Sequence, residues 1–403
     1  MQHLNTNMAR LLGIAGKPSR LVIGLMSGTS VDGLDVALCR FSGTGMDTGI
    51  ELLEFETVPY GEDYKGEIRS VFSKRNVDLE KVCLLNGWVA LAHARIILSC
   101  LRRWKRSPEE IDLIASHGQT IFHAPKTLHK QTKFGNATLQ IGDGDHMAVE
   151  TGIVTVSDFR QKHVAAGGEG APLAAYGDFL IFSKKEENRI MLNIGGIANF
   201  TFLPGSLQAD EVFCTDTGSG NTLMDAFIQR YYPGKYFDEN AEVASKGQAN
   251  TALLTVLKDH PFFAHPFPKT TGPELFNLAY LEQAQEKSGT TGISNEDVMA
   301  TLSRFSAETI AAAIKTVVKD PAEFRFYVSG GGMHNPLLMQ HLAALLPECT
   351  FKSTKELHIN PDAKEAVLFA VLANEMICGG KVSFGKGRNG IPNVSMGKLS
   401  FPA

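Results

Sequence analysis

Four times along this chain an apolar, strand-like run breaks into a short turn of glycine, hydroxyl and carboxylate or carboxamide residues. The first turn, Gly28-Thr29-Ser30-Val31-Asp32-Gly33-Leu34-Asp35, lies between apolar runs at 21–25 and 36–41. Asn193-Ile194-Gly195-Gly196-Ile197-Ala198-Asn199 lies between runs at 190–194 and 200–203, and Asp216-Thr217-Gly218-Ser219-Gly220-Asn221 follows it. The last, Ser329-Gly330-Gly331-Gly332-Met333-His334-Asn335, ends the run 324–328. Glycine makes up 39 of 403 residues, above the usual ~7%. Turns of this kind offer backbone N–H groups and hydroxyls to phosphate oxygens, and glycine lets the backbone approach closely. The P-loop signature is absent, so any phosphate site is of another kind.

Between the turns, strand and helix alternate. Residues 51–58 read as a third antiparallel strand, and 82–103 as a long helix. Leu84, Trp88, Leu91, Ala94, Leu98 and Leu101 fall on one helical face, which predicts its burial. Ser107-Pro108-Glu109-Glu110 is a capping box opening one further turn. Residues 111–115 read as a buried parallel strand, and 139–141 and 154–156 as two short ones. The second half repeats the grammar with helices at 222–231 and 301–318, the latter burying Leu302, Phe305, Thr309 and Ala313. Asn335-Pro336 starts a helix to about 346, and 363–377 forms a last helix stopped at Gly379-Gly380. The pattern predicts an α/β chain of two lobes, 20–157 and 158–379, with 380–403 returning to the first. Residues 1–19, interrupted by Gly16-Lys17-Pro18, read as a loose leader.

Composition narrows the function. Lys and Arg number 39 against 43 Asp and Glu, a net charge of −4, so no basic excess points to nucleic acid. The six cysteines are scattered without a C-x-x-C pair, which predicts reduced thiols and no structural zinc. The apolar stretch 89–101 contains His93 and Arg95 and falls short of the ~20 residues a bilayer span needs. A cytoplasmic protein acting on a small molecule, with no nucleic acid and no membrane, is the expectation.

Several residues in and around these turns are candidates for chemistry. Asp32 and Asp35 beside a phosphate would repel it unless Mg²⁺ intervenes, directly or through water; the alternative is an ordinary hairpin with Asx turns. Gly195, Gly196 and Gly218 resemble the first turn in kind, and Gly330–Gly332 suit a nucleotide lying on backbone. Asp216 precedes a helix starting near Asn221, whose dipole and free N–H groups would keep a carboxylate ionised and fit to act as a general base; the alternative is a capping Asp. His117 and Gln119, at the end of a buried strand, and Gln140 are hydrogen-bonding partners for sugar hydroxyls. Arg160 or Lys162 could hold an anion. A capped structural imidazole is the alternative for His117. His123, His129 and His146 read as surface. Glu365, in the first turn of the last helix, either favours the dipole or approaches Mg²⁺.

In order, the motifs from Gly24 through Asp35, Ser116 to Thr120, Ala165 to Leu173, Asn193 to Asn199, Asp216 to Asn221 with Leu223-Met224-Asp225-Ala226, Lys269 to Gly272, and Gly330 to Asn335 resemble the anhydro-N-acetylmuramic acid kinase family, within the sugar kinase/Hsp70/actin architecture. The resemblance implies two ribonuclease-H-like lobes with ATP and sugar in the cleft between them, a homodimer, and a role in recycling cell-wall fragments. It implies that water opens the 1,6-anhydro bridge at C1 while O6 takes the γ-phosphoryl group of ATP, giving N-acetylmuramic acid 6-phosphate. Asp216 then falls on the catalytic base and Glu365 on a catalytic carboxylate near the metal, with Asp32 as a second metal-side group. Gly28 to Asp35 fall on the ATP phosphates, and Gly330 to Gly332 with Asn335 beside the nucleotide. The family pattern has Arg-Asp at Lys162-His163, Gln at Glu169 and Pro at Ser219, departures that lie toward the sugar side. Two neighbouring readings remain: a kinase for an uncharged anhydro sugar such as levoglucosan, or a nucleotide-switched actin- or chaperone-like binding protein. The latter would hydrolyse ATP slowly without sugar.

Overall fold

The computed structural model describes residues 5–171, 173–379, 382, 384 and 392–403. Pro172 of the 165–173 motif and Gly380 of the predicted helix stop lie outside them. In the first sheet, β1 (Ser19–Ser27), β2 (Gly33–Ser42) and β3 (Gly49–Pro59) form an antiparallel meander. β4 (Leu113–Ala124) pairs parallel with β1; β5 (Ala137–Ile141) runs antiparallel to β4, and β6 (Thr155–Ser157) parallel to it. In the second sheet, β7 (Asn188–Ile194), β8 (Ile197–Leu203) and β9 (Phe213–Ser219) form another antiparallel meander. β10 (Phe324–Ser329) joins β7 in parallel and β11 (Phe351–Ser353) joins β10 in parallel, while β12 (Lys398–Ser400) closes the first sheet against β6.

The two orders, β3-β2-β1-β4-β6 and β9-β8-β7-β10-β11, are the same topology written twice. A three-strand meander, then two parallel strands added beside its first member, is the ribonuclease-H-like arrangement. The predicted α/β class and its repeat are therefore present in the strands themselves.

The division of the chain differs from the expected one. One compact unit comprises Met1–Phe182, Gln208–Glu211 and His358–Ala403, and the other Ser183–Leu207 and Val212–Leu357. The predicted break at 157 comes too early, and the last helix was assigned to the wrong lobe. Helix Lys364–Cys378 packs on β1, β2, β4 and helix Ala174–Phe182, burying Ala366, Val367, Ala370 and Val371. Gly24 on β1 makes that contact possible: a Cβ there would lie 1.9 Å from the Ala366 carbonyl oxygen. The leader is not loose either. Helix Thr6–Ala15 is capped by the Asn5 side chain, buries Ile14, and is tied by Arg10 Nη2 to the Gly152 carbonyl at 2.9 Å.

The long helix runs Leu79–Arg103, and its buried face is rotated by about one residue from the expectation. Leu85, Val89, Ala90, His93, Ala94, Ile97 and Leu101 are buried, whereas Leu84 is 65% exposed. By length and composition this helix would pass for a membrane span, but this face packs into the hydrophobic core of the first unit. The expected face did not include His93; in the fold, hydrogen bonds to two tyrosines hold it inside.

Candidate functional site

In the first unit, the turn after β1 is fixed from the inside. Val31 takes a left-handed conformation (φ 59°) and buries its side chain to 1% exposure. The Asp32 carbonyl accepts the Tyr60 amide at 2.9 Å, and a Cβ on Gly33 would lie 2.6 Å from the Val58 oxygen. Thr29, Ser30 and Asp32 remain exposed. A turn so held presents hydroxyls and amides without first having to order itself.

Asp35 accepts a hydrogen bond from Thr57 Oγ1 at 2.6 Å. Burial, with the Glu365 and Asp362 carboxylates nearby, pushes its pKa up to about 6.

β4 contributes the next group through a bulge. The β1–β4 register pairs Leu25 with Ser116 but Ser27 with Gln119, so one extra β4 residue is accommodated around Gly118 (φ 71°). A Cβ on Gly118 would meet the Ile141 oxygen at 2.5 Å. His117 is buried; its Nε2 accepts from Arg160 Nε at 2.9 Å, which leaves Nδ1–H to donate to the Gly118 carbonyl at 3.0 Å. Burial and the guanidinium hold the imidazole neutral. Arg160 Nη1 donates to the Gly170 carbonyl at 2.6 Å, so Nη2 keeps donors for an anionic ligand. Burial lowers the Arg160 pKa to about 10, opposed by Glu365, and it stays cationic. Lys162 is exposed.

His163 is buried and accepts the Gly170 amide on Nδ1 at 2.9 Å. Burial, then Arg160, lowers its pKa to about 4. It is thus a neutral acceptor, and it holds the same residue whose carbonyl orients Arg160.

Gln119 corrects an expectation. It is completely buried, and both ends of its amide are engaged with Ser27 and Gly28, which turns it toward the 28–32 turn. Gln140 donates to Thr138 Oγ1 at 2.8 Å and Thr120 Oγ1 at 3.3 Å, while its buried Oε1 has no partner. That atom is a free acceptor beside Arg160's elements. Glu365 does stand in the first turn of its helix, where it reaches solvent. Partial desolvation raises its pKa, with Lys364 and Arg160 opposing.

In the second unit, Asp216 lies on β9 and not in a turn before a helix. Its Oδ2 accepts the Thr271 amide at 2.8 Å, and its own amide donates to the Lys269 carbonyl at 2.9 Å. The expected helix dipole does not hold it ionised. The amides of Gly220 and Thr222 donate to Gly196 O, and that of Asn221 to Gly195 O, at 2.8–3.1 Å, so the helix start is spent on the Gly195-Gly196 turn. Burial dominates instead and lifts the Asp216 pKa to about 7, against the Thr271 hydrogen bond and helped by Glu274. A carboxylate with that pKa is a better proton acceptor at neutral pH than an ordinary aspartate.

The remaining glycines divide into two kinds. Gly218 (φ 141°) packs against Phe263 and Thr309, where a Cβ would lie 3.2 and 3.3 Å away, and so serves packing rather than a nucleotide. Gly330 (φ 84°) and Gly332 let β10's end approach β7, since Cβ atoms there would lie 2.6 Å from Asn193 Oδ1 and 2.3 Å from Ile194 Cγ2. Gly331 keeps an open side, its nearest contact being Asn221 Nδ2 at 3.7 Å. Asn335 caps helix Pro336–Leu345 through the Leu338 amide at 3.0 Å, as its sequence position predicts.

One group was not visible as functional from the sequence: Thr271, which holds Asp216, sat in a motif without an assigned role.

Among the described residues no three His, Cys, Asp or Glu side chains could together hold a metal ion. The Asp35–Glu365 pair nevertheless fits Mg²⁺ bound mainly through phosphate oxygens and waters, a mode needing only one or two carboxylates. The Glu365 carboxylate raises the Asp35 pKa, as a neighbouring like charge does. Asp32 is exposed and is the weaker candidate of the three.

A ribonuclease-H-like fold present twice, one copy with a pre-shaped hydroxyl-rich turn and the other with a recessed carboxylate near neutral pKa, suits a phosphoryl-transfer enzyme, and the class is a kinase. The relatives agree. The family profile for anhydro-N-acetylmuramic acid kinase matches residues 20–388. The anhydro-N-acetylmuramic acid kinase of Pseudoalteromonas atlantica is 57% identical over 99% of this chain and 100% of its own length. That of Caldanaerobacter subterraneus is 39% identical over 98% and 100%. Among solved structures, the ADPNP-bound activator of 2-hydroxyisocaproyl-CoA dehydratase from Clostridium difficile covers 89% of this chain and 95% of its own at 11% identity. Its TM-score of 0.41 is too low to add to the strand order. The chain belongs to the anhydro-N-acetylmuramic acid kinase family.

Proposed function

We propose that this chain uses ATP to convert 1,6-anhydro-N-acetylmuramic acid into N-acetylmuramic acid 6-phosphate and ADP. The observation that carries the reading is Asp216: a recessed carboxylate, oriented by the Thr271 amide, with a pKa near 7. It takes a proton from water as the water oxygen bonds to C1. The C1–O6 bond breaks, and its electron pair stays on O6, which bonds to the γ-phosphorus as the bond to the β–γ bridging oxygen breaks. O6 needs no proton because the phosphoryl group takes up its charge; the proton on Asp216 returns to solvent. Phosphoryl transfer asks chiefly for positioning and charge neutralisation.

The residues of the first unit suit the other tasks. The amides and hydroxyls of Gly28 to Ser30 bind phosphate oxygens; in the second unit, Gly331 offers bare backbone to the nucleotide. Arg160, fixed by His117 and Gly170, keeps Nη2 for the lactyl carboxylate of the sugar; Gln140 Oε1 accepts from a hydroxyl or the acetamido N–H. Asp35 and Glu365 would hold Mg²⁺ through water. When bound, Mg²⁺ neutralises charge on the β- and γ-phosphates. The product is a fragment of cell-wall sugar returned to metabolism.

A coupled ADP assay across anhydro sugars tests this. Rapid turnover of anhydro-N-acetylmuramic acid is expected, with KM rising at least about tenfold for analogues without the lactyl carboxylate, as loss of a charge-assisted hydrogen bond predicts. Phosphorylation of levoglucosan alone, or sugar-independent ATP hydrolysis at the same rate, would refute the substrate. The pH profile gives a second expectation. Because the base must be deprotonated, kcat/KM should rise with pH to a plateau, with a midpoint near 7 set by Asp216. A midpoint near 4 would mean that the titrating base is an ordinary, solvated carboxylate.

A further inference from the structure

Behind the turn 28–32 runs a buried chain of polar side chains that the reaction above does not use. His93, on helix Leu79–Arg103, is wholly buried, and its Nε2 lies 2.9 Å from the Tyr60 hydroxyl and 3.0 Å from that of Tyr64. Tyr60 OH donates to Ser27 Oγ at 2.8 Å, Ser27 Oγ donates to Gln119 Oε1 at 2.5 Å, and Gln119 Nε2 donates to the Gly28 carbonyl at 3.2 Å. From Tyr60 to the turn only one direction is consistent. Gln119 must donate to a carbonyl, so its oxygen accepts from Ser27, Ser27 accepts from Tyr60, and the Tyr60 oxygen is free to accept from His93 Nε2–H. The one unmatched atom of this buried polar chain is His93 Nδ1. Burial keeps that imidazole neutral, with a pKa lowered to about 3. Five residues from β1, β4, the segment after β3 and the long helix are spent on a single carbonyl in the turn.

The geometry of a trans peptide says what that does. C=O and the following N–H point in opposite directions in one rigid plane. Holding the Gly28 oxygen inward, on Gln119 and on the Val31 amide at 3.3 Å, turns the Thr29 N–H outward, away from the core. Thr29 itself is exposed. We infer that Gln119 is a positioning residue for the nucleotide, aiming the Thr29 amide at a phosphate oxygen, and that Ser27, Tyr60 and His93 keep Gln119 in the required rotamer. The inference rests on the proposed role of the 28–35 turn and assigns Gln119 to the nucleotide rather than to the sugar.

The test is a series of single variants, Gln119→Met, Ser27→Ala and Tyr60→Phe, assayed for KM of both substrates and for equilibrium binding of a fluorescent ADP analogue with Mg²⁺. Gln119→Met, similar in length and without a donor, is expected to raise KM for ATP and the analogue's Kd about tenfold or more, with KM for the anhydro sugar within twofold. Ser27→Ala and Tyr60→Phe should give progressively smaller shifts of the same kind, since each acts one bond further from Gly28; they decide the matter if Gln119→Met does not fold. Unchanged nucleotide affinity in folded variants overturns the inference alone. A rise confined to the sugar's KM overturns it and returns Gln119 to the sugar. A wild-type enzyme that does not bind the analogue at all removes the function and this inference together.

Discussion

Replacing Asp216 by asparagine is expected to lower sugar-dependent ADP release by at least about 10³-fold, the span general-base catalysis usually supplies, while making the protein more stable at alkaline pH. Both effects come from one fact. Burial has lifted the carboxyl to about 7 from its ordinary 3.8, so between those values the folded chain binds a proton that the unfolded chain has released. Stability contributed by this group is therefore fully present below pH 4, is lost as pH rises toward 7, and stays lost above it. Each pKa unit corresponds to about 1.4 kcal/mol; with part of the side chain reaching water, an advantage of about 1–3 kcal/mol for Asp216→Asn at pH 8 is expected. Asparagine retains an oxygen to accept the Thr271 amide, so the cradle should survive. Urea unfolding at pH 8 and pH 4, with activity at pH 8, checks this. A variant that keeps sugar-dependent turnover would remove Asp216 from the base's role, and one without an alkaline stability gain would show that the site is not desolvated.

Gly24→Ala should be the most damaging single methyl group in the first unit. The added Cβ would lie 1.9 Å from the Ala366 oxygen and 3.0 Å from the Ala370 Cβ. Neither neighbour is the end of a flexible side chain; one is helix backbone and the other is fixed to it. Strand β1 lies in the middle of its sheet and has no room to retreat, so helix Lys364–Cys378 must shift outward, carrying Glu365 with it. Overpacking of this sort costs about 1–3 kcal/mol or more, and here the displaced helix bears a group of the site. A fall in melting temperature of several degrees, with kcat reduced more than KM, is expected. Gly13→Ala is the control: nothing lies within 4 Å of its Cβ position in helix Thr6–Ala15, so it should be neutral or raise stability by up to about 1 kcal/mol. Equal melting temperatures for the two variants would mean that the β1–helix contact is looser than described.

Much of the fold was legible because its elements obey local rules. The β1–β2 and β7–β8 pairs announce themselves as apolar runs around glycine turns, and Asn335-Pro336 starts its helix where a cap and a first-turn proline should. What failed were judgements that depend on distant partners. Asp216 was read as part of a turn because Asp-Thr-Gly-Ser-Gly has no strand propensity; pairing with β8 and the Lys269 carbonyl overrides that. Its pKa was expected to be low from the nearby helix start, yet those amides are consumed by Gly195 and Gly196, a contact no spacing in the sequence reveals. Gln119 looked like a sugar ligand because a polar residue at a strand end usually faces solvent; the bulge at Gly118 turns it inward and His117 toward Arg160. The lobe assignment of helix Lys364–Cys378 needed knowledge of which sheet covers its apolar face, and that is tertiary information.

The most direct measurement is the reaction run in ¹⁸O-enriched water with ATP and anhydro-N-acetylmuramic acid, quenched within the first turnovers, reduced at once with borohydride to fix the anomeric oxygen, and analysed by mass spectrometry. One ¹⁸O atom bound to C1 of the sugar 6-phosphate, with none in phosphate, is the predicted result. Label appearing in inorganic phosphate, or a phosphorylated sugar whose 1,6-anhydro bridge is still closed, would contradict it.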